Sequence, residues 1–189
     1  MTTPLVDTVV KVGGALLARP DAIDGVSLAL ASAAARGARI LVVPGGGAFA
    51  DTVRAIDARL SIEPATAHWM AVLAMEQYAH LLASRARGAR LVRSPEEAAA
   101  ALAAFTLPVL APYRWLRARD PLPHSWDVTS DSVAAWVAGE VGAERLILVK
   151  PVTGTRAALV DAYFERALQP SVEVVIVDAD GLTEALRAT

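Results

Sequence analysis

The strongest constraint on this chain is a rhythm of short apolar runs, each followed by a helical pattern. "TVVKVGG" (8–14), "ARILVVPGGG" (38–47), "ARLVR" (89–93), "LPVLAP" (107–112), "RLILVK" (145–150) and "VEVVIVD" (172–178) read as strands. The longer of them are continuously apolar rather than alternating, as strands covered on both faces must be. Helices are predicted between them over 21–37, 48–60, 64–88, 94–105, 130–142, 161–168 and 181–188. Gly37 and Gly88 stop two of these, and Pro64 opens one. "SPEEAAAALAAF" begins with a capping serine, a proline at the first helical position and two glutamates where the helix dipole favours them. Alternation of this kind implies an α/β fold, a three-layer α/β/α sandwich with a mostly parallel central sheet.

The 189 residues suit a single domain spanning 1–189, long enough to bury a core without a covalent staple. Cysteine is absent, so disulfides, thiol catalysis and thiolate metal sites are excluded. Net charge is −2, with arginines scattered except in "RARGARLVR" (85–93), which reads as a solvated helix end; no nucleic-acid partner is expected. The first residues lack a signal-peptide pattern. The longest apolar run, 98–111, is too short to span a bilayer and contains Pro108. A soluble, cytoplasmic protein without a membrane partner is expected.

In parallel sheets, ligands bind beyond the carboxyl ends of the strands, and the distinctive residues fall there. Gly13 and Gly14 follow the first strand, Gly45, Gly46 and Gly47 the second, and Lys150 ends a later one. Glycine turns let backbone N–H groups approach an anion, and the next helix adds its positive end. Lys11, set among valines on a buried strand, is poorly explained as a solvated lysine. Neither turn has the GxGxxG spacing, and there is no Walker motif. "LPHSWDVTSDSVAAW" (122–136) holds more capping residues than one helix uses. It ends a loop predicted over 113–129, and loops that long are usually functional.

Together, "VVKVGGALL", "VVPGGGAFAD" and "DVTSDSVAAWVAGEVGAERLILVKPVTG" resemble the amino acid kinase family, in the right order over most of residues 8–177. The resemblance implies an ATP-dependent phosphotransferase. Lys11 matches the K-x-G-G lysine that contacts the transferring phosphoryl group, and Asp131 the aspartate that holds that lysine. Lys150 falls where uridylate kinases carry a lysine. Gly13, Gly14, Thr129, Ser130 and Gly154 are the implied nucleotide and phosphate contacts, with Thr129 or Ser130 capping the helix. No carboxylate cluster suggests a protein-built metal cage, so Mg²⁺ would arrive on ATP. The family's acidic stretch after the late strand is replaced by "KPVTGTRAALVDAYF", which reads as having lost its aspartates. That departure leaves a second function open: a non-catalytic member that binds nucleotides or anions.

"GGGAFADTVR", "AHWMAVLAMEQYAHLLA" and "LPHSWDVTSDSVAAW" further resemble a branch of archaea and methylotrophs that includes a methanofuran-biosynthesis kinase acting on an aminomethylfuran-methyl phosphate. A small phosphorylated acceptor is therefore expected, held by Gly45, Gly46, Gly47, Asp51, Arg54, His124, Trp126 and Asp127. Arg54 would take its phosphate, Asp51 or Asp127 its amine, and Trp115 or Trp126 its ring. Ala48–Ala50 lack the histidine that isopentenyl phosphate kinases carry there. Apolar residues on more than one face of the helix at 64–88 predict a homodimer or larger homo-oligomer.

Overall fold

The computed structural model describes residues 5–151 and 154–187; Val152 and Thr153 of "KPVTG" lie outside the described residues. Six strands form one parallel sheet: β1 (Thr8–Val12), β2 (Ile40–Pro44), β3 (Ala89–Val92), β4 (Leu107–Leu110), β5 (Arg145–Val149) and β6 (Glu173–Val177), in the order β3-β4-β2-β1-β5-β6. β1 lies inside the sheet, with all five residues buried. Its register sets Lys11 beside Val43 of β2 and Leu148 of β5.

The pleat sorts β1 into two faces. Val9 belongs to one core, with Ala98 of α4 (Pro95–Ala103), Val133 of α6 (Ser130–Glu140) and Phe164 of α8 (Phe164–Ala167). Val10 and Val12 belong to the other, with Ile23 and Leu30 of α1 (Pro20–Ala35) and Leu182 of α9 (Leu182–Ala185). Lys11 has the parity of Val9, so its side chain is on the face of α6. The long helix α3 (Pro64–Arg85) serves both cores, with Trp69, Val72 and Met75 in the first and Tyr78, Ala79 and Leu82 in the second. Helices therefore cover both faces, and the architecture is the three-layer sandwich that the alternation implies.

Two elements differ from the sequence reading. Residues 113–129 are not one loop, because α5 (Tyr113–Arg119) occupies its first part. No local side chain caps α5; the Glu76 carboxylate of α3 accepts from Tyr113 N at 3.1 Å, a partner that a local window of sequence cannot reveal. The helix predicted over 161–168 is shorter. Asp161 stands outside α8, and α7 (Arg156–Leu159) precedes it. A 3-10 turn at Gly14–Ala18 separates β1 from α1. Among the described residues, no helix is long and apolar enough to cross a membrane.

Candidate active site

The two glycine turns are packed against each other, backbone on backbone. A Cβ on Gly14 would lie 2.1 Å from Gly47 N, and one on Gly45 would lie 2.5 Å from Gly14 N. Gly47 also has φ +54°, left-handed backbone that disfavours side chains. No side chain caps the start of α2 (Gly47–Leu60), so its first amides remain open to an anion. Gly13 is held by its N–H to Val149 O at 2.9 Å, and Gly45 by its N–H to Val12 O at 2.8 Å. The Tyr78 hydroxyl donates to Gly13 O at 3.4 Å, and burial pushes its pKa up, so it stays neutral. Close approach of the turns is thus a sufficient reason for glycine at 14, 45 and 47, independent of any ligand.

Beside the turns, two lysines share one carboxylate. Lys11 Nζ lies 2.8 Å from Asp131 Oδ1, and Lys150 Nζ donates to Asp131 Oδ2 at 2.7 Å. Lys11 and Lys150 thus take one oxygen of Asp131 each. Lys11 and Asp131 are each 4 % exposed. Burial lowers the Lys11 pKa, and the neighbouring Lys150 lowers it further, more than Asp131 restores. Burial alone would raise the Asp131 carboxyl, but the two ammonium groups hold it below its ordinary value. Two cations on one anion leave a net positive charge facing the cavity.

The first turn of α6 carries Asp131, and it is fixed from a distance. Asp161 Oδ2 accepts from Thr129 N at 3.0 Å, Thr129 Oγ1 at 2.7 Å and Ser132 N at 3.0 Å, while Oδ1 accepts from Ser132 Oγ. This corrects the expectation that Thr129 or Ser130 caps the helix: Thr129 makes no side-chain cap, and Asp161 performs that task. It also corrects the reading that "KPVTGTRAALVDAYF" has lost its aspartates. Lys150 Nζ donates to Leu159 O as well, so the 154–163 segment is tied both to Lys150 and to the turn that carries Asp131. Donors at Thr129 expected for a nucleotide phosphate are already engaged by a carboxylate.

A cavity of about 310 Å³ opens over the ion cluster. Lys11, Asp131 and Lys150 line it, with Gly14, Gly46 and Gly47 from the turns and Thr129 and Ser130 from the start of α6. Asp51, Arg54 and Trp126 line it as well. Gly13 and Gly45 stand behind the lining, in the turns. Gly154 packs near Leu159 instead. Asp127 is exposed and outside the lining, although its carbonyl accepts from Tyr163 N at 3.2 Å. Trp115 is buried against Trp136, 5.3 Å between ring centroids, and is outside the lining of this cavity.

His124 lies in an adjoining cavity of about 250 Å³ that shares Trp126 and His68 with the first. Its ring stacks on His68 at 4.4 Å, and its Nε2 is 2.8 Å from Asp120 Oδ1. Burial, then His124, pushes His68 down to about 4, so His68 is neutral at pH 7. Trp126 is held twice. Its Nε1 donates to Asp57 Oδ2 at 2.6 Å, and the Arg54 guanidinium lies 4.7 Å above its ring. Asp57, Asp161 and Tyr78 escaped the sequence reading. The only available signal for Asp57 was its place one helical turn after Arg54.

The sequence matches the amino acid kinase family over residues 8–155. It is 29 % identical over 150 residues to the [5-(aminomethyl)furan-3-yl]methyl phosphate kinase of Methanocaldococcus jannaschii, a match covering 77 % of this chain and 66 % of that protein, just under two thirds of its length. The structure superposes on the uridylate kinase of Archaeoglobus fulgidus with a TM-score of 0.72 at 15 % identity, covering 96 % of both chains. On the UMP kinase of Bacillus anthracis the TM-score is 0.72 at 12 % identity, covering 96 % of this chain and 90 % of that one. At such identities the two superpositions speak for the fold alone, and they agree with the α/β/α sandwich.

Proposed function

This chain belongs to the amino acid kinase family, and from that premise we propose that it is a phosphotransferase moving the γ-phosphoryl group of ATP to a small phosphorylated acceptor. The observation that carries this is Lys11 and Lys150 held on Asp131 at the floor of a cavity rimmed by two glycine turns. Phosphoryl transfer asks for in-line placement and for positive charge on the equatorial oxygens, and little covalent help. Lys11 and Lys150 bring that charge, and Asp131 fixes where their ammonium groups point. Gly14 of the first turn and the open start of α2 add backbone to the lining, where free N–H groups can meet phosphate oxygens. ATP, with Mg²⁺ on its phosphates, supplies the phosphoryl group when bound. The residues fit it, because Lys11 and Lys150 stand at the floor of the cavity and Gly14, Gly46 and Gly47 line it beside them.

For the acceptor we favour an aminomethylfuran-methyl phosphate, the compound named for the Methanocaldococcus relative. Its phosphate would lie between the α2 amides and Arg54, its ring on Trp126. The sequence reading gives the amine to Asp51 or Asp127; of these only Asp51 lines the cavity. The protein is read as a homo-oligomer. The test is a panel of phosphorylated acceptors with Mg·ATP, following ADP release. Turnover of the furan phosphate is expected; turnover of uridylate alone would move the protein to another branch. A second reading, an anion- or nucleotide-binding member without turnover, draws on Asp161 engaging the donors of α6. Calorimetric binding of ATP without ADP release on any acceptor would favour it.

A further inference from the structure

Phosphoryl transfer does not use the second cavity. It adjoins the first and shares His68, Ala71, Trp126 and Val128 with it, so a ligand in one abuts the other. Ile62, Pro64 and Ala67 make much of its wall apolar, and one carboxylate, Asp57, stands in it. Both oxygens of Asp57 accept from neutral donors: Oδ1 from Ile62 N at 2.9 Å and Oδ2 from Trp126 Nε1 at 2.6 Å. Among the described residues no cation forms an ion pair with it. An ionised carboxylate offers about four acceptor positions, so about two remain open to a cationic ligand. His68, neutral at pH 7, does not compete for it.

Trp126 is bracketed by charges of opposite sign. Arg54 lies over its ring and Asp57 holds its edge, and the two sit three residues apart on one face of α2. A flat ring resting on Trp126 would meet a guanidinium toward the transfer site and a carboxylate toward the second cavity. Asp51 is placed differently. It is exposed and lines the first cavity with Lys11 and Lys150, where its charge opposes the acceptor's phosphate. We propose that the second cavity binds the ammonium end of an arylmethylamine and that Asp57, not Asp51, is its charge partner. The inference rests on the reading that the acceptor bears an amine. It assigns that amine to a residue outside the transfer site and makes Asp57 the residue that selects amine-bearing acceptors.

The probe is furfurylamine, titrated by calorimetry into the wild-type protein and into Asp57→Asn and Asp51→Asn, with furfuryl alcohol as the uncharged control. Furfurylamine is expected to bind saturably and about tenfold more tightly than the alcohol in the wild type. That preference should vanish in Asp57→Asn and persist in Asp51→Asn. Equal binding of amine and alcohol by the wild type overturns the proposal without any variant. Loss of the preference in Asp51→Asn alone overturns it too, and so does its survival in Asp57→Asn. Thermal melting checks that the variants fold, and Asp57→Glu, which keeps the charge, should restore the preference. ADP release is scored separately. Amine-selective binding through Asp57 with no turnover of any acceptor refutes the kinase reading and leaves the binding site standing.

Discussion

At the residue scale, the ion cluster makes separable predictions for its members. Lys11→Ala removes charge from the transferring group and should cost about 3 kcal/mol of barrier, some hundredfold in kcat. Asp131 keeps Lys150 as a partner in that variant, so the fold should survive. Asp131→Asn differs, because it leaves the buried Lys11 ammonium and the part-buried Lys150 ammonium without their shared anion, and it should lose about 3 kcal/mol of stability as well as activity. Turnover and thermal melting of both variants decide the matter, and near wild-type kcat in folded Lys11→Ala would sink the assignment. The lowered Lys11 pKa adds a pH signature. Its charge is lost as pH rises through the lowered folded value, so kcat should fall at a pH below the ordinary lysine range. Stability should move the other way in that window, because the unfolded state there binds more protons and deprotonation relieves the burial cost. Lys11, Asp131 and Lys150 were legible in the sequence because each stands at the end of a strand or the start of a helix, inside a recognisable motif. Asp57 and Asp161 were not, since each acts on residues that are close only in space.

At the scale of elements, the strands and long helices follow from local patterns, whereas the pieces that support the site do not. α4 carries its own start signal: Ser94 Oγ accepts from Glu97 N at 3.2 Å, behind Pro95. α5 and α6 take their caps from other elements, Glu76 of α3 and Asp161 of the late segment. This is why residues 113–129 read as one loop and the cap of α6 was given to Thr129 or Ser130. It also makes Asp161 a positioning residue, holding the turn that carries Asp131. Asp161→Ala should leave the Thr129 and Ser132 amides without a partner and cost about 2 kcal/mol. For a chain of this size that is a melting point lower by about 6 °C. Turnover should fall with it while the secondary structure stays, as circular dichroism would report. An unchanged melting point would show that the carboxylate adds nothing to the helix start. Asp161→Asn, which keeps one acceptor oxygen, should lie between the two.

At the scale of the whole molecule, the open question is what covers the outer side of α3. Apolar residues on more than one face suggest a subunit contact, yet Trp69, Met75 and Leu82 are buried within the chain's own two cores. In its middle, α3 leaves outward Leu73, 43 % exposed, with Gln77 and His80 nearby on the helix. A helix of 22 residues is about 33 Å long and about 11 Å wide, so its outward strip offers about 360 Å². A stable interface takes about 800 Å² from each partner, so α3 alone is too small. Its neighbour α2 ends in Leu60, 72 % exposed, and the two helices pack closely enough to present a joint surface. We therefore expect a homodimer at micromolar concentration, paired through the outer faces of α2 and α3. Both Leu60→Asp and Leu73→Asp should shift it toward monomer, because a charge in a dry contact has no partner. Sedimentation velocity distinguishes the outcomes. A wild-type monomer refutes the pairing, and a dimer untouched by either substitution places the contact on another face. Trp126, Arg54 and Asp57 face the cavities from the same pair of helices or the loop against them, so weakened pairing should loosen the acceptor side before it touches the Lys11–Asp131–Lys150 cluster on the sheet. Acceptor KM should then rise in the monomeric variants while the KM for ATP holds, and equal losses on both substrates would show that the pairing and the acceptor pocket are unrelated.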